Sequence, residues 1–126
     1  MSTNLVNGTI LFAHGSRDPL WHKPIEAVAA HIQGLAPSAL VRCAYLELST
    51  PDLPSTAAEL VALGVSSITV VPMFLGVGRH AREDLPLLMT ALQASHPQMV
   101  FKLRPAIGEE SRLVALMAQI ALTDDL

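Results

Sequence analysis

Four apolar runs punctuate the chain, and each is followed by a stretch with helical spacing. The first run, Thr9 to Ala13, is continuously hydrophobic, the pattern of a strand covered on both faces. After His14-Gly15-Ser16-Arg17-Asp18, a helix is predicted from about Pro19 to Gln33, where Ile25, Val28, Ala29 and Ile32 recur at the spacing of a buried stripe. Gly34 and Pro37 read as its stop. A second strand is expected from Leu40 to Leu46, with Glu47 at its end. Its helix should start near Pro51 to Pro54, since proline suits a first helical turn, and run to Gly64.

The third run, Ile68 to Leu75, is rich in β-branched residues and fits a central strand. Pro72 lacks the N–H that a central ladder needs, so regular pairing should fade there. A third helix is predicted from Asp84 or Pro86 to Ala94, with Leu85, Leu88, Met89 and Leu92 on its buried side. A short strand, Met99 to Leu103, and a last helix, Glu109 to Leu122, complete the chain. Such alternation predicts an α/β fold with a parallel sheet, right-handed crossovers and helices on both faces. For four strands the flavodoxin-like order 2-1-3-4 is expected. No linker, low-complexity tract or internal repeat interrupts it, so residues 1–126 read as one domain.

That topology changes the meaning of three polar residues. His14 follows the first run, Glu47 ends the second, and His80 follows Gly76-Val77-Gly78-Arg79 beyond the third. Open α/β sheets bind ligands at the carboxyl ends of their strands, at the point where strand order reverses. Neighbouring strands lie about 4.8 Å apart, so His14 and Glu47 should be immediate neighbours, with His80 reaching back from its loop. Two imidazoles and a carboxylate suit a divalent first-row metal, and a neutral imidazole also accepts a proton at cellular pH. His22, His31 and His96 have no ligand-spaced partner and read as ordinary.

Composition narrows the ligand. Hydrophobic residues make up 51% of the 126 positions and charged ones 15%, an excess that points to apolar surface covered by a second subunit. A net charge of −3 and an aromatic share of 4% argue against nucleic-acid binding. Arg17 near His14, and Arg79 and Arg82 beside His80, nevertheless favour an anionic ligand. A lone cysteine, Cys43, excludes an internal disulfide and a cysteine-held cluster, and it reads as a small buried thiol. No apolar run reaches the ~20 residues of a membrane span, and no leader is visible, so a soluble, cytoplasmic protein is expected. His14-Gly15-Ser16 lacks the glycine pattern of a nucleotide loop, and no nucleophile elbow occurs. Ser16 suits either a helix cap or an anion contact.

The segments Leu11 to Arg17 and Val71 to His80, the latter followed by Asp84-Leu85-Pro86, resemble the class II chelatases of the sirohydrochlorin group, the CbiX and SirB proteins. Ala44 to Glu47 and Pro105 to Gly108 fit as well. The resemblance spans nearly the whole chain and implies the chelatase fold and insertion of Co(II), Fe(II) or Ni(II) into sirohydrochlorin, with no organic cofactor. It implies metal-binding and catalytic roles for His14 and His80, and an assisting role at the metal for Glu47. Arg17, Arg79, Arg82 and Ser16 are the expected partners of the substrate's carboxylates. The chain resembles the short form that works as a homodimer. It departs from many relatives at Leu75-Gly76-Val77-Gly78, and it lacks a histidine-rich tail and cluster-binding cysteines. The alternatives to an enzyme are a metal or tetrapyrrole carrier without turnover, or a flavodoxin-like nucleotide binder touching phosphate at Gly15 and Ser16.

Overall fold

Strand β1 (Asn7–Ala13) is the spine of the computed structural model, which describes residues 6–123. The single-domain expectation for residues 1–5 and 124–126 lies outside the described residues. On one side β1 pairs with β2 (Leu40–Tyr45), and on the other with β3 (Ser67–Pro72). Beyond β3 lies β4 (Val100–Leu103), and every pairing is parallel, giving the expected order β2-β1-β3-β4. β3 ends at Pro72, yet the Met73 N–H still donates to the Phe12 carbonyl at 2.7 Å, so pairing with β1 reaches one residue past the proline instead of fading at it.

Alternation along the strands divides the interior into two layers. Ile10 and Phe12 share one face with Ala44, Ile68 and Val70, packed against α2 (Leu53–Ala62) and α3 (Arg79–Ser95). Leu11, Val41 and Tyr45 face the other way, against Ile25 of α1 (Lys23–Leu35). Helices therefore cover both faces, as the continuous apolar runs require.

Several boundaries differ from the sequence expectation. The segment before α1 is a short 3-10 turn, Pro19–His22, whose Leu20 N–H is held by the Asp18 carboxylate at 2.9 Å. α1 passes through Gly34 and ends at Leu35, because nothing crowds or strains that glycine. β2 stops at Tyr45 rather than Leu46, and the Leu46 N–H turns to the Ala13 carbonyl. α3 begins at Arg79, not at Asp84 or Pro86. Pro86 sits on its exposed side, where water can satisfy the carbonyl that proline leaves unbonded, so the helix continues through it. The loop expected around His80 is thus the first helical turn. Finally, α4 (Ser111–Leu122) starts after a 3-10 turn, Ile107–Glu109.

α4 is the element with least cover. It has no buried residue, and Val114, Leu116 and Ile120 are each about half exposed, at 49%, 50% and 47%. Its contacts run mainly to the preceding 3-10 turn rather than to a strand. Among the described residues, no helix is long and apolar enough to cross a membrane.

Candidate functional site

His14 follows the last residue of β1, where the chain leaves the sheet at the reversal of strand order. Its ring lies against Phe74, with centroids 4.5 Å apart. Its Nδ1 is 3.9 Å from Glu47 Oε1, so the two predicted partners do meet; their side chains are 48% and 59% exposed, open to a ligand.

A backbone contact sets this distance. A Cβ on Gly15 would stand 1.6 Å from the Glu47 carbonyl oxygen, so only glycine allows the loop after β1 to press against the loop after β2. Ser49 fastens them together. Its hydroxyl accepts from the Ser16 N–H at 2.9 Å and donates to the Ser16 carbonyl at 2.7 Å. His22 Nε2 lies 2.9 Å from the same oxygen. Because the one hydroxyl proton points to Ser16, His22 must donate here, which sets its Nε2-protonated form. The His22 ring stacks on Tyr45 at 4.4 Å. A residue that reads as ordinary in sequence thus helps hold both candidate ligands. Trp21 is another residue that sequence reasoning passed over: its indole N–H donates to the His14 carbonyl at 3.1 Å. No spacing signal marks these residues, since Ser49 lies 27 residues beyond His22.

The other expected site residues are less closely gathered. Ser16 Oγ accepts from the Asp18 N–H at 3.0 Å, closing a local turn instead of capping α1. Arg17 borders an open recess of mixed lining with Ser16, Pro19, His22, Leu48, Ser49 and Thr50. His80 and Arg82 are exposed in the first turn of α3, and Arg79 pairs with Glu83 at 3.2 Å in solvent. Among the described residues, no three His, Cys, Asp or Glu side chains gather closely enough to hold one ion. His80 therefore does not join His14 and Glu47 in a ready-made three-ligand set. It stands on a helix, not on a loop that reaches back.

Cys43 is structural in character. Burial, with Glu26 adding to it, pushes its thiol above the ordinary range, which suppresses the reactive thiolate. Gly108 repeats the Gly15 device at the opposite side of the edge: a Cβ there would meet the Leu75 carbonyl at 1.9 Å, and its N–H donates to the Phe74 carbonyl at 3.0 Å. Phe74, which backs the His14 ring, is thereby tied to the loop after β4.

Comparison with known proteins agrees with this architecture. The sirohydrochlorin cobaltochelatase of Methanopyrus kandleri is 30% identical over 80 residues, which are 64% of this chain and 56% of that protein. The chain thus spans little more than half of the length of that relative. The sirohydrochlorin cobaltochelatase of Sulfolobus acidocaldarius is 27% identical over 114 residues, covering 90% of this chain and 89% of that one. The crystal structure of a putative cobalamin biosynthesis CbiX protein from Marinobacter aquaeolei is 34% identical and superposes with a TM-score of 0.78, over 91% of this chain and 93% of that chain. The CbiX family model matches residues 8–122, from β1 to the end of α4, and the chain belongs to the CbiX family.

Proposed function

We propose that this chain is a lyase-class chelatase that inserts a divalent metal into sirohydrochlorin or a similar tetrapyrrole, in cobalamin- or sirohaem-type biosynthesis in the cytoplasm. Co(II) is the foremost metal, in keeping with the cobaltochelatases it resembles; Fe(II) and Ni(II) suit the same donors. The observation that carries the reading is the pairing of His14 with Glu47 at the strand-order reversal, in a chain of this family.

The metal is a substrate here. His14 and Glu47 receive it through nitrogen and oxygen, while the His80 imidazole, in the first turn of α3, is left for proton transfer. Two pyrrolic protons must leave as the ion enters the ring. A neutral imidazole, that of His80, accepts one, and solvent takes the other. Two open protein ligands hold an ion more loosely than a closed four-ligand cage, which suits an ion that must be passed on. Arg17, Arg79 and Arg82, with Ser16 at the loop, face the carboxylates of the macrocycle. Arg79 gives up little by leaving Glu83, since exposed pairs contribute about 0–1 kcal/mol.

A second copy of the chain completes the enclosure. One four-stranded unit offers a single wall to a broad disc, whereas binding sites normally bury most of their ligand. The half-exposed apolar side of α4 provides material for a two-fold contact. The test is turnover: purified protein with sirohydrochlorin and Co(II), Fe(II) or Ni(II) should accelerate the spectral change of metallation over many equivalents. A stop after one equivalent would mark a carrier, and no acceleration with any of the three metals would overturn the proposal.

A further inference from the structure

Two recesses of unequal polarity flank the 3-10 turn Pro19–His22. The first is a cleft of about 310 Å³ whose mostly apolar walls include Ala13, His14, Trp21, Pro24, Val28 and Met73. The second is more open and of mixed lining: Arg17, His22, Ser49 and Thr50 border it together with Pro19 and Leu48. Trp21 and His22, adjacent in sequence, thus border the two recesses separately, while the cleft reaches the metal-site candidates through His14.

From this juxtaposition we infer that the apolar cleft seats one edge of the tetrapyrrole ring, with Trp21 as its wall, while the neighbouring, more polar recess takes the carboxylate arms of that edge at Arg17 and Thr50. The inference rests on the chelatase reading above and adds to it a binding position and a residue. Three observations support it. Trp21 is 56% exposed and Val28 37%, so large apolar groups are left to water beside the His14–Glu47 pair. Isolated exposed apolar residues are ordinary, but a concave apolar surface next to candidate ligands is the usual form of a small-molecule site.

Second, the indole does not collapse into the cleft. Its N–H is engaged by the His14 carbonyl at 3.1 Å, which holds the ring in place against the strand end. A held aromatic wall stacks on, or meets edge-on, a flat conjugated ring with little further loss of side-chain freedom. Third, the division of chemistry fits a ligand with a flat apolar body and an anionic rim. A carboxylate would be unpaired in the cleft, where it would lose its hydration without compensation. Next door, the Arg17 guanidinium, the Thr50 hydroxyl and the backbone of the loops offer donors. The cleft is at the small end of the range of about 300–1,000 Å³ for ligand pockets, so it holds one side of the macrocycle and leaves the rest to other surfaces.

Trp21 is the chain's single tryptophan, so intrinsic fluorescence reports on this position alone. Titration of the wild-type protein with metal-free sirohydrochlorin should quench that emission saturably and protect it from iodide. Val28→Phe fills the cleft from a partly exposed helical position and should raise the dissociation constant at least tenfold with the melting temperature unchanged. Trp21→Ala, followed by the tetrapyrrole's own absorbance, should weaken binding similarly, while Leu35→Phe, on the same helix but not lining the cleft, should not. Equal binding, within twofold, by wild type and Val28→Phe would overturn the cleft assignment and leave the chelatase reading standing if metallation persists. Failure of the wild type to bind sirohydrochlorin at all would overturn both.

Discussion

Replacing Gly15 by alanine tests whether the loop-to-loop contact truly sets the site. The added Cβ would lie 1.6 Å from the Glu47 carbonyl oxygen and 2.9 Å from Ser49 Oγ. An ordinary carbon–oxygen contact is about 3.3 Å, so the two loops must part by roughly 1.7 Å. Separation of that size breaks both hydrogen bonds between Ser49 and Ser16, now 2.9 and 2.7 Å long, each with a net contribution of about 1 kcal/mol. Overpacking adds about 1–3 kcal/mol. A loss of about 3–5 kcal/mol follows, and for a domain of this size it corresponds to a melting temperature lowered by roughly 10–20 °C. Circular dichroism melts read this directly. Gly34→Ala is the internal control: that glycine lies inside α1, and a Cβ added there would meet nothing within 4 Å, so alanine should stabilise the protein by about 0.5–1 kcal/mol. If Gly15→Ala melted within about 4 °C of wild type, the shift of about 1 kcal/mol, the loops would have other means of holding His14 near Glu47, and the reasoning would fail.

Other consequences can be read separately. His14→Ala and His80→Ala should each cut metallation severely with the fold intact, and Glu47→Gln should cost less than either; near-normal turnover in both histidine variants would remove the assigned site. Sedimentation at micromolar concentration should give twice the chain mass, and Leu116→Glu with Ile120→Glu on the half-exposed side of α4 should return it to the monomer; a wild type that is monomeric and fully active would refute the dimer. Tyr45, the single tyrosine, should titrate at about 12 instead of its ordinary 10.0, because burial and then the neighbouring Cys43 and Glu26 disfavour the phenolate. The folded state therefore keeps its proton longer than the unfolded chain does, and stability should fall as pH rises from about 10 to about 12. A difference titration of tyrosinate absorbance that showed a midpoint at the ordinary value would contradict this.

The strands were legible because burial on both faces leaves a continuous apolar run, and their order is the flavodoxin-like one expected for four alternating units. Pro72 marked the last residue of β3, although the Met73 N–H beyond it still reaches the Phe12 carbonyl. Helix starts were less legible. Pro86 reads as a first-turn signal, yet the helix begins seven residues earlier at Arg79, since exposure makes an interior proline tolerable. The site divided in the same way. His14 and Glu47 were visible because each lies at the end of a strand whose neighbour was deducible. Ser49, His22 and Trp21 were not, because a hydroxyl shared between two loops leaves no periodic trace. Gly15 entered the sequence reading only as a phosphate contact of the alternative nucleotide binder, whereas its use is the close approach of a carbonyl from the other loop.

The placement of β1 also separates the site's durability from that of the rest of the molecule. Local opening in proteins draws on the least-packed segments, and here that segment is α4, which buries no residue. The Leu11 and Phe12 amides sit in a strand paired on both sides, directly before Ala13 and His14. Hydrogen exchange should therefore proceed in α4 by fluctuations that leave the strand ends closed, and in β1 only through near-global unfolding. The periphery can loosen while the strand end that carries His14 keeps its position.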